Sequence, residues 1–147
     1  MRIGICDDER VQQELLIKYI SIWGETRDAQ VEWVTYSSAE SFLFAWEEDK
    51  NFDLLMLDVE MGKMNGMEMA MKIREQDEEL PILFITGYEK YMAQGYEVAA
   101  LHYLLKPVNQ DKLFSILDKL YKRQKLTQEK ILFQTEQATL SLSLIHI

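Results

Sequence analysis

Phe52-Asp53-Leu54-Leu55-Met56-Leu57-Asp58 is nearly all apolar and stops at a carboxylate. A run this short and this apolar fits a central strand buried on both faces, as in a parallel sheet. The same form recurs along the chain. Arg2 to Cys6 closes on Asp7-Asp8-Glu9, Ile82 to Ile85 on Thr86-Gly87, and Ala100 to Leu105 on Lys106-Pro107. In a parallel sheet these C-terminal ends share one edge, so residues about a hundred positions apart can line one pocket. Three carboxylates (Asp7, Asp8, Asp58), the Thr86 hydroxyl and the Lys106 ammonium gathered there suit a hard cation and a phosphoryl group. Taken singly, each has a plainer reading: Asp7-Asp8 as a helix cap, Thr86 as a turn residue, Lys106-Pro107 as an ordinary turn.

Helical patterns fill the intervals. Val11, Leu15, Leu16 and Tyr19 recur at helical spacing, extended by Ile20 and Trp23, and Asp7 or Asp8 could cap their start. Gly24 to Gln30 is a polar connector, and Val31 to Tyr36 is β-branched and aromatic, hence a strand. Ser37 with Glu40 three residues on has the form of a capping box, opening a helix through Phe42, Leu43 and Trp46. Asn65-Gly66 marks a turn before a helix from Met67 to Arg74. Tyr88 to Gly95 reads as a short helix, and Gln110 to Tyr121 as a longer one with Leu113, Leu117 and Leu120 on its face. Strand followed by helix, five times over, predicts an α/β domain. The expected form is a flavodoxin-like, doubly wound five-stranded parallel sheet of order 2-1-3-4-5, with helices on both faces.

With 147 residues, 48% of them hydrophobic, the chain can build a sizeable core, and no apolar run approaches the ~20 residues of a membrane span. The start, Met1-Arg2-Ile3, does not read as a signal peptide, and the lone Cys6 rules out an internal disulfide. A cytoplasmic protein is expected. Residues 122–147 carry four basic and two acidic side chains; the first 121 therefore hold 12 basic against 23 acidic, or −11 of the total −9. So acidic a body repels a phosphate backbone, which argues against direct nucleic-acid contact by residues 1–121. Beyond Tyr121 the character changes. Residues 122–130 read as a basic linker, and 131–147 as two β-like runs, Ile131-Leu132-Phe133 and Leu140 to Ile147. A seventeen-residue hairpin cannot stand alone. It either packs on the first domain or a partner, or opens a second domain.

Together, in order and at strand ends, Ile5-Cys6-Asp7-Asp8-Glu9, Leu57-Asp58-Val59-Glu60-Met61, Asn65-Gly66, Thr86-Gly87 and Tyr103-Leu104-Leu105-Lys106-Pro107 are highly specific. Across residues 1–121 the chain resembles the receiver domain of bacterial two-component response regulators. The stretch from Tyr96 to Pro107 looks like the branch whose output is a LytTR-type DNA-binding domain, and residues 131–147 look like the opening strands of such a domain, truncated. The resemblance implies that a sensor histidine kinase phosphorylates Asp58 with Mg²⁺ as cofactor. Asp7, Asp8, Asp58 and the backbone carbonyl of Glu60 would hold the metal. Lys106 would pair with Asp58 and then with the phosphoryl group, Thr86 would hydrogen-bond that group, and Thr86 with Tyr103 would form the switch. Glu60 and Tyr88 would flank the path of the hydrolytic water, and Pro107 would follow a cis peptide. The face of helix 4, strand 5 and helix 5, with Tyr91, Met92, Tyr96 and His102, would support a homodimer. DNA would be met only through the C-terminal output domain. The protein would be a phosphoacceptor rather than an enzyme. In one departure from the family, Gly62 follows Met61 where proline is usual.

Two other classes compete. A phosphotransferase or phosphatase of the haloacid-dehalogenase type expects aspartate two residues past the nucleophile and threonine two further on. Here Glu60 and Gly62 stand in those places. A phosphorylation-independent receiver-like binding module normally lacks a ligand or the lysine, and neither is missing. Met56, Met61, Met64, Met67, Met69 and Met71 could in principle hold copper(I), but flexible gap-filling is the simpler expectation. Cys6 lies within a strand and reads as inert, and His102 and His146 have no metal partners at useful spacing.

Overall fold

A computed structural model describes residues 1–145. His146 and Ile147, the end of the second β-like run, lie outside the described residues. The elements are β1 (Arg2–Cys6), α1 (Arg10–Thr26), β2 (Glu32–Tyr36), α2 (Ala39–Glu48), β3 (Leu54–Leu57), α3 (Gly66–Gln76), β4 (Ile82–Thr86), a 3-10 turn (Glu89–Tyr91), α4 (Met92–Glu97), β5 (His102–Leu105) and α5 (Gln110–Ile145). All strand pairs are parallel and the order is β2-β1-β3-β4-β5, as the sequence predicts. The chain divides into two units, Met1–Gln110 and Asp111–Ile147.

In the first unit, strand alternation builds two core layers. Leu55, Leu57, Ile82 and Phe84 share one cluster with Phe42 and Trp46 of α2 and with Met67, Met69 and Ile73 of α3. Their neighbours Ile3, Ile5, Leu54, Met56, Leu83 and Ile85 are also buried and, by the two-residue period, face the other way, where α1 contributes Leu16, Ile20 and Trp23. Each such side chain contributes about 1.5–3 kcal/mol by leaving water. β2 is an edge strand, and its half-exposed pattern shows it.

The starts of α2 and α3 are set by polar side chains, and on α2 the structure corrects the sequence reading. Asn65 and Glu68 form a full capping box on α3. On α2 the capping residue is Ser38, whose hydroxyl accepts from the Ser41 amide at 3.1 Å. Glu40 instead accepts from the Met64 amide at 3.2 Å, because the β3–α3 loop passes within its reach. α4 is only six residues long and is tied down at its C-terminal end. The Arg74 guanidinium of α3 donates to the carbonyls of Val98, at 2.7 Å, and Ala99, at 3.3 Å. An added Cβ at Gly95 of α4 would lie 3.2 Å from the Tyr103 ring, so α4 and β5 approach closely there.

The second unit departs from expectation. Residues 122–130 form no irregular linker and 131–145 no strands; α5 runs unbroken through both. The segment lacks glycine and proline, and its Lys, Gln, Glu and Leu are good helix formers. A strand needs a neighbouring edge for its N–H and C=O groups, whereas a helix satisfies them internally. The hydroxyls of Thr127, Thr135, Thr139 and Ser143 each donate to the carbonyl four residues back, at 3.0–3.1 Å. The two-residue alternation of Leu140, Leu142 and Leu144 therefore has no single face to serve, and all three are exposed. Among the described residues, no helix is long and apolar enough to cross a membrane.

Candidate functional site

Strand pairing delivers the polar signals to one edge. The Asp58 amide donates to the Cys6 carbonyl at 2.9 Å, the Asp7 amide to Tyr36 at 3.0 Å, and the Lys106 amide to Thr86 at 2.8 Å. These bonds continue the ladders one residue past the strands, and the side chains emerge together. Lys106 Nζ lies 2.9 Å from Asp7 Oδ2, 3.1 Å from Asp58 Oδ2 and 3.9 Å from Glu9 Oε1. Asp7 and Asp58 are buried, at 2% and 5% exposure, so the lysine offsets charge that water cannot. The Lys106–Pro107 peptide is cis.

The acids do not cap α1. Glu9 holds the capping position without a side-chain bond, and its amide donates to Asp7 Oδ1 at 2.9 Å. Gln13 of α1 donates to the Asp7 carbonyl at 2.6 Å, fixing the same turn from behind. At α3, an added Cβ on Gly66 would fall 2.1 Å from the Asp58 carbonyl oxygen, so only glycine permits this approach of helix to strand end.

Burial pushes the Asp7 carboxyl above its ordinary range, against the opposing pull of the Glu9 amide and the Lys106 ammonium. Burial acts to lower the Lys106 ammonium, but hydrogen bonds to Asp7 and Asp58 outweigh it and hold the group above its usual value. The Cys6 thiol is pushed up to about 12, first by burial and then by the adjacent carboxylates. It lies 3.6 Å from Met61 Sδ and 4.0 Å from Met69 Sδ in the core and is inert, as the sequence suggests.

Oxygens of Asp7, Asp8, Glu9 and Asp58 all fall within 4.8 Å of one another. An all-carboxylate set of this kind matches a hard divalent cation, Mg²⁺ among them. Asp58 Oδ1 is buried with no hydrogen-bond partner among the described residues, an atom prepared for a ligand. The donor set fits the metal. Asp8, Asp58, Glu60, Tyr88 and Lys106 help to line an open cleft of about 710 Å³.

Thr86 is fully buried at the end of β4, and its Oγ1 likewise has no partner. It lies one position before the cleft-lining Gly87 rather than in the lining itself. The Tyr103 ring packs against Phe84 at 5.9 Å, and its hydroxyl donates to the Tyr88 carbonyl. Met92, Tyr96 and His102 are exposed. Tyr91, read from the sequence as surface, instead donates to Glu60 Oε1 at 2.8 Å across the cleft. That contact and the part of Glu9 in the acidic cluster were missed by sequence reasoning. The Asp7-Asp8-Glu9 run could have signalled Glu9, but nothing in the local sequence pairs positions 60 and 91. Met56, Met61, Met67 and Met69 are buried packing residues.

A doubly wound sheet with a carboxylate cluster, a buried aspartate and a lysine at its switch point defines a flavodoxin-like domain. The family model described as "Response regulator receiver domain" matches residues 3–118, and the chain belongs to that family. It is 32% identical over 130 residues to the sensory transduction protein LytT of Bacillus cereus, covering 87% of this chain and 50% of the relative. The transcriptional regulatory protein NatR of Bacillus subtilis is 28% identical over 123 residues, covering 84% and 51%. The chain thus spans about half the length of the curated relatives it matches. Among solved structures, the response regulator TrrA of Thermotoga maritima in complex with Mg²⁺-BeF has a TM-score of 0.70 at 31% identity, covering 81% of this chain and 97% of that one. The response regulatory domain of mrkE from Klebsiella pneumoniae has 0.76 at 24%, covering 86% and 99%, which is a likeness of fold.

Proposed function

We propose that Asp58 accepts a phosphoryl group from the phosphohistidine of a sensor histidine kinase, with Mg²⁺ as cofactor. The observation that carries this reading is the split environment of the Asp58 carboxylate: Oδ2 is held by Lys106, whereas buried Oδ1 has no partner among the described residues. Oδ1 is the nucleophile. Its lone pair forms the O–P bond, the P–N bond breaks, and the electron pair leaves on the imidazole nitrogen, which takes up a proton. Lys106 passes from Asp58 Oδ2 to a phosphoryl oxygen, and the unpartnered Thr86 hydroxyl supplies a second donor. Asp7, Asp8, Asp58 and the Glu60 carbonyl would hold the cation, which would supply positive charge against the negative charge that nucleophile and donor share. In this reading the protein is a phosphoacceptor with at most slow self-phosphorylation and self-dephosphorylation, not an enzyme acting on an external substrate.

The signal leaves through Thr86 and Tyr103. Movement of the Thr86 hydroxyl toward the phosphoryl group changes the space beside the Tyr103 ring, and with it the exposed surface of α4 and β5 around Met92, Tyr96 and His102. That surface supports a homodimer on phosphorylation. Residues 1–121 act as the phosphoacceptor domain, and the segment beyond leads to a LytTR-type DNA-binding domain that regulates transcription in the cytoplasm. The greater length of LytT and NatR, a sensory transduction protein and a transcriptional regulatory protein, supports that output. The test is acetyl phosphate with Mg²⁺, read by phosphate-affinity gel and size-exclusion chromatography. Wild type should be labelled and Asp58→Asn should not. Equal labelling of the two removes Asp58 as acceptor, and labelling without a change in elution removes the dimer.

A further inference from the structure

The mouth of the cleft is bordered on one side by the loop after β3, which carries Glu60, and on the other by the turn after β4, which carries Tyr88 and Tyr91. A side-chain hydrogen bond joins the two borders, from the Tyr91 hydroxyl to Glu60 Oε1 at 2.8 Å. Around it the second border is braced. The Tyr88 and Tyr91 rings meet edge to face at 6.4 Å, and Lys90 Nζ lies over both, at 5.5 and 5.1 Å from their centroids. A cation over the ring faces is attracted to them, which adds to the packing of this border. The Tyr103 hydroxyl bonds the Tyr88 carbonyl in the same turn. The turn is therefore held from β5 on one side and from the β3–α3 loop on the other.

We infer that Tyr91 is a positioning residue for the lifetime of the phosphorylated state: its hydrogen bond to Glu60 is a latch across the cleft that hinders the attack of water on the phosphoryl group. The inference rests on Asp58 being the phosphoacceptor. Hydrolysis needs a water to enter at the mouth and approach phosphorus opposite the Asp58 oxygen. The latch narrows that approach, and it also occupies the Glu60 carboxylate, an acid on the border that could orient a water. Removing the Tyr91 hydroxyl opens the mouth and frees the carboxylate, so both effects quicken hydrolysis. The latch also ties Asp58's own loop to the turn leading into α4, so the side chain that slows decay belongs to the segment that carries the signal.

The test uses the full 147-residue chain, loaded with acetyl phosphate and Mg²⁺, cleared of donor, and followed for loss of label. Tyr91→Phe keeps the ring and its packing and removes the donor. It should label as fully as wild type and decay about two- to tenfold faster, the range set by the net worth of one hydrogen bond. Glu60→Gln keeps an acceptor oxygen but loses the charge, and should decay faster by a smaller factor. In a Glu60→Ala background, Tyr91→Phe should change nothing further. An unchanged or slower decay in Tyr91→Phe overturns the inference, as does equal acceleration with and without Glu60. If Tyr91→Phe fails to label while Glu60→Gln labels with a wild-type lifetime, Tyr91 is merely structural and the inference also falls. Absence of label on the wild type would be a different failure, that of Asp58 as acceptor.

Discussion

The strand-end cluster and the distal half of α5 hold their side chains in opposite ways. At the cluster, Lys106 bonds residues 99 and 48 positions away, and Asp7 and Asp58 are almost sealed from water. From residue 125 to 144 every residue is exposed, and the side-chain hydrogen bonds reach only four positions back. The cluster is specified by tertiary structure and the helix by local propensity. Substitutions should therefore cost much in the first region and little in the second.

The largest effect is expected at Lys106. Lys106→Ala leaves two buried carboxylates without their cation, a change worth about 3 kcal/mol or more. Urea unfolding in cation-free buffer should show that loss, and millimolar Mg²⁺ should restore part of it. Because the folded-state value of Lys106 is raised, its stabilisation is complete below the ordinary lysine value of 10.5 and fades as pH climbs through the higher folded one. A Lys106→Ala variant as stable as wild type at pH 7 would show that the cluster is not what holds this edge together.

Asp7 should act with the opposite sign. Its folded-state value is also raised, so the protonated form suits the fold better, and ionisation above that value costs stability. Asp7→Asn is expected to raise stability by about 1 kcal/mol at neutral pH without cation, a shift of a few degrees in Tm. The gain should vanish as pH falls through the wild-type Asp7 titration and grow as pH rises through it. Mg²⁺ should stabilise wild type more than the variant. A destabilised Asp7→Asn would mean that the Lys106 pair outweighs the burial cost.

The smallest effect is expected in the helix. Leu142→Ser should shift the unfolding midpoint, read by fluorescence of the buried Trp23 and Trp46, by no more than about 0.5 kcal/mol. A loss beyond about 1 kcal/mol would show that the exposed leucines pack on something, and would erase the contrast between the two regions.

The same contrast explains what could be read from the sequence. Phe52 to Asp58 declares a buried strand because burial on both faces demands an unbroken apolar run. Once the strands are ordered, Asp7, Asp58, Thr86 and Lys106 must share an edge. The Tyr91–Glu60 bond and the reach of Glu40 to Met64 depend on how two loops approach, which no local periodicity encodes. In Leu140-Ser141-Leu142-Ser143-Leu144 the alternation speaks for a strand, but alternation needs a sheet to serve. Where no edge is paired with it, the chain closes its hydrogen bonds on itself.

α4 spans only about 9 Å, too short to hold its own orientation by helical cooperativity. Arg74 grips the carbonyls at its far end, next to Ala99 with its positive φ of 54°, while the Tyr91 hydroxyl moors the approach to its near end. It is in effect a short lever with a fulcrum and a mooring line. With Tyr91 released, the near end would be left to Tyr103, which bonds the Tyr88 carbonyl and packs beside Gly95, so control of the helix's orientation would pass from the β3–α3 loop to β5.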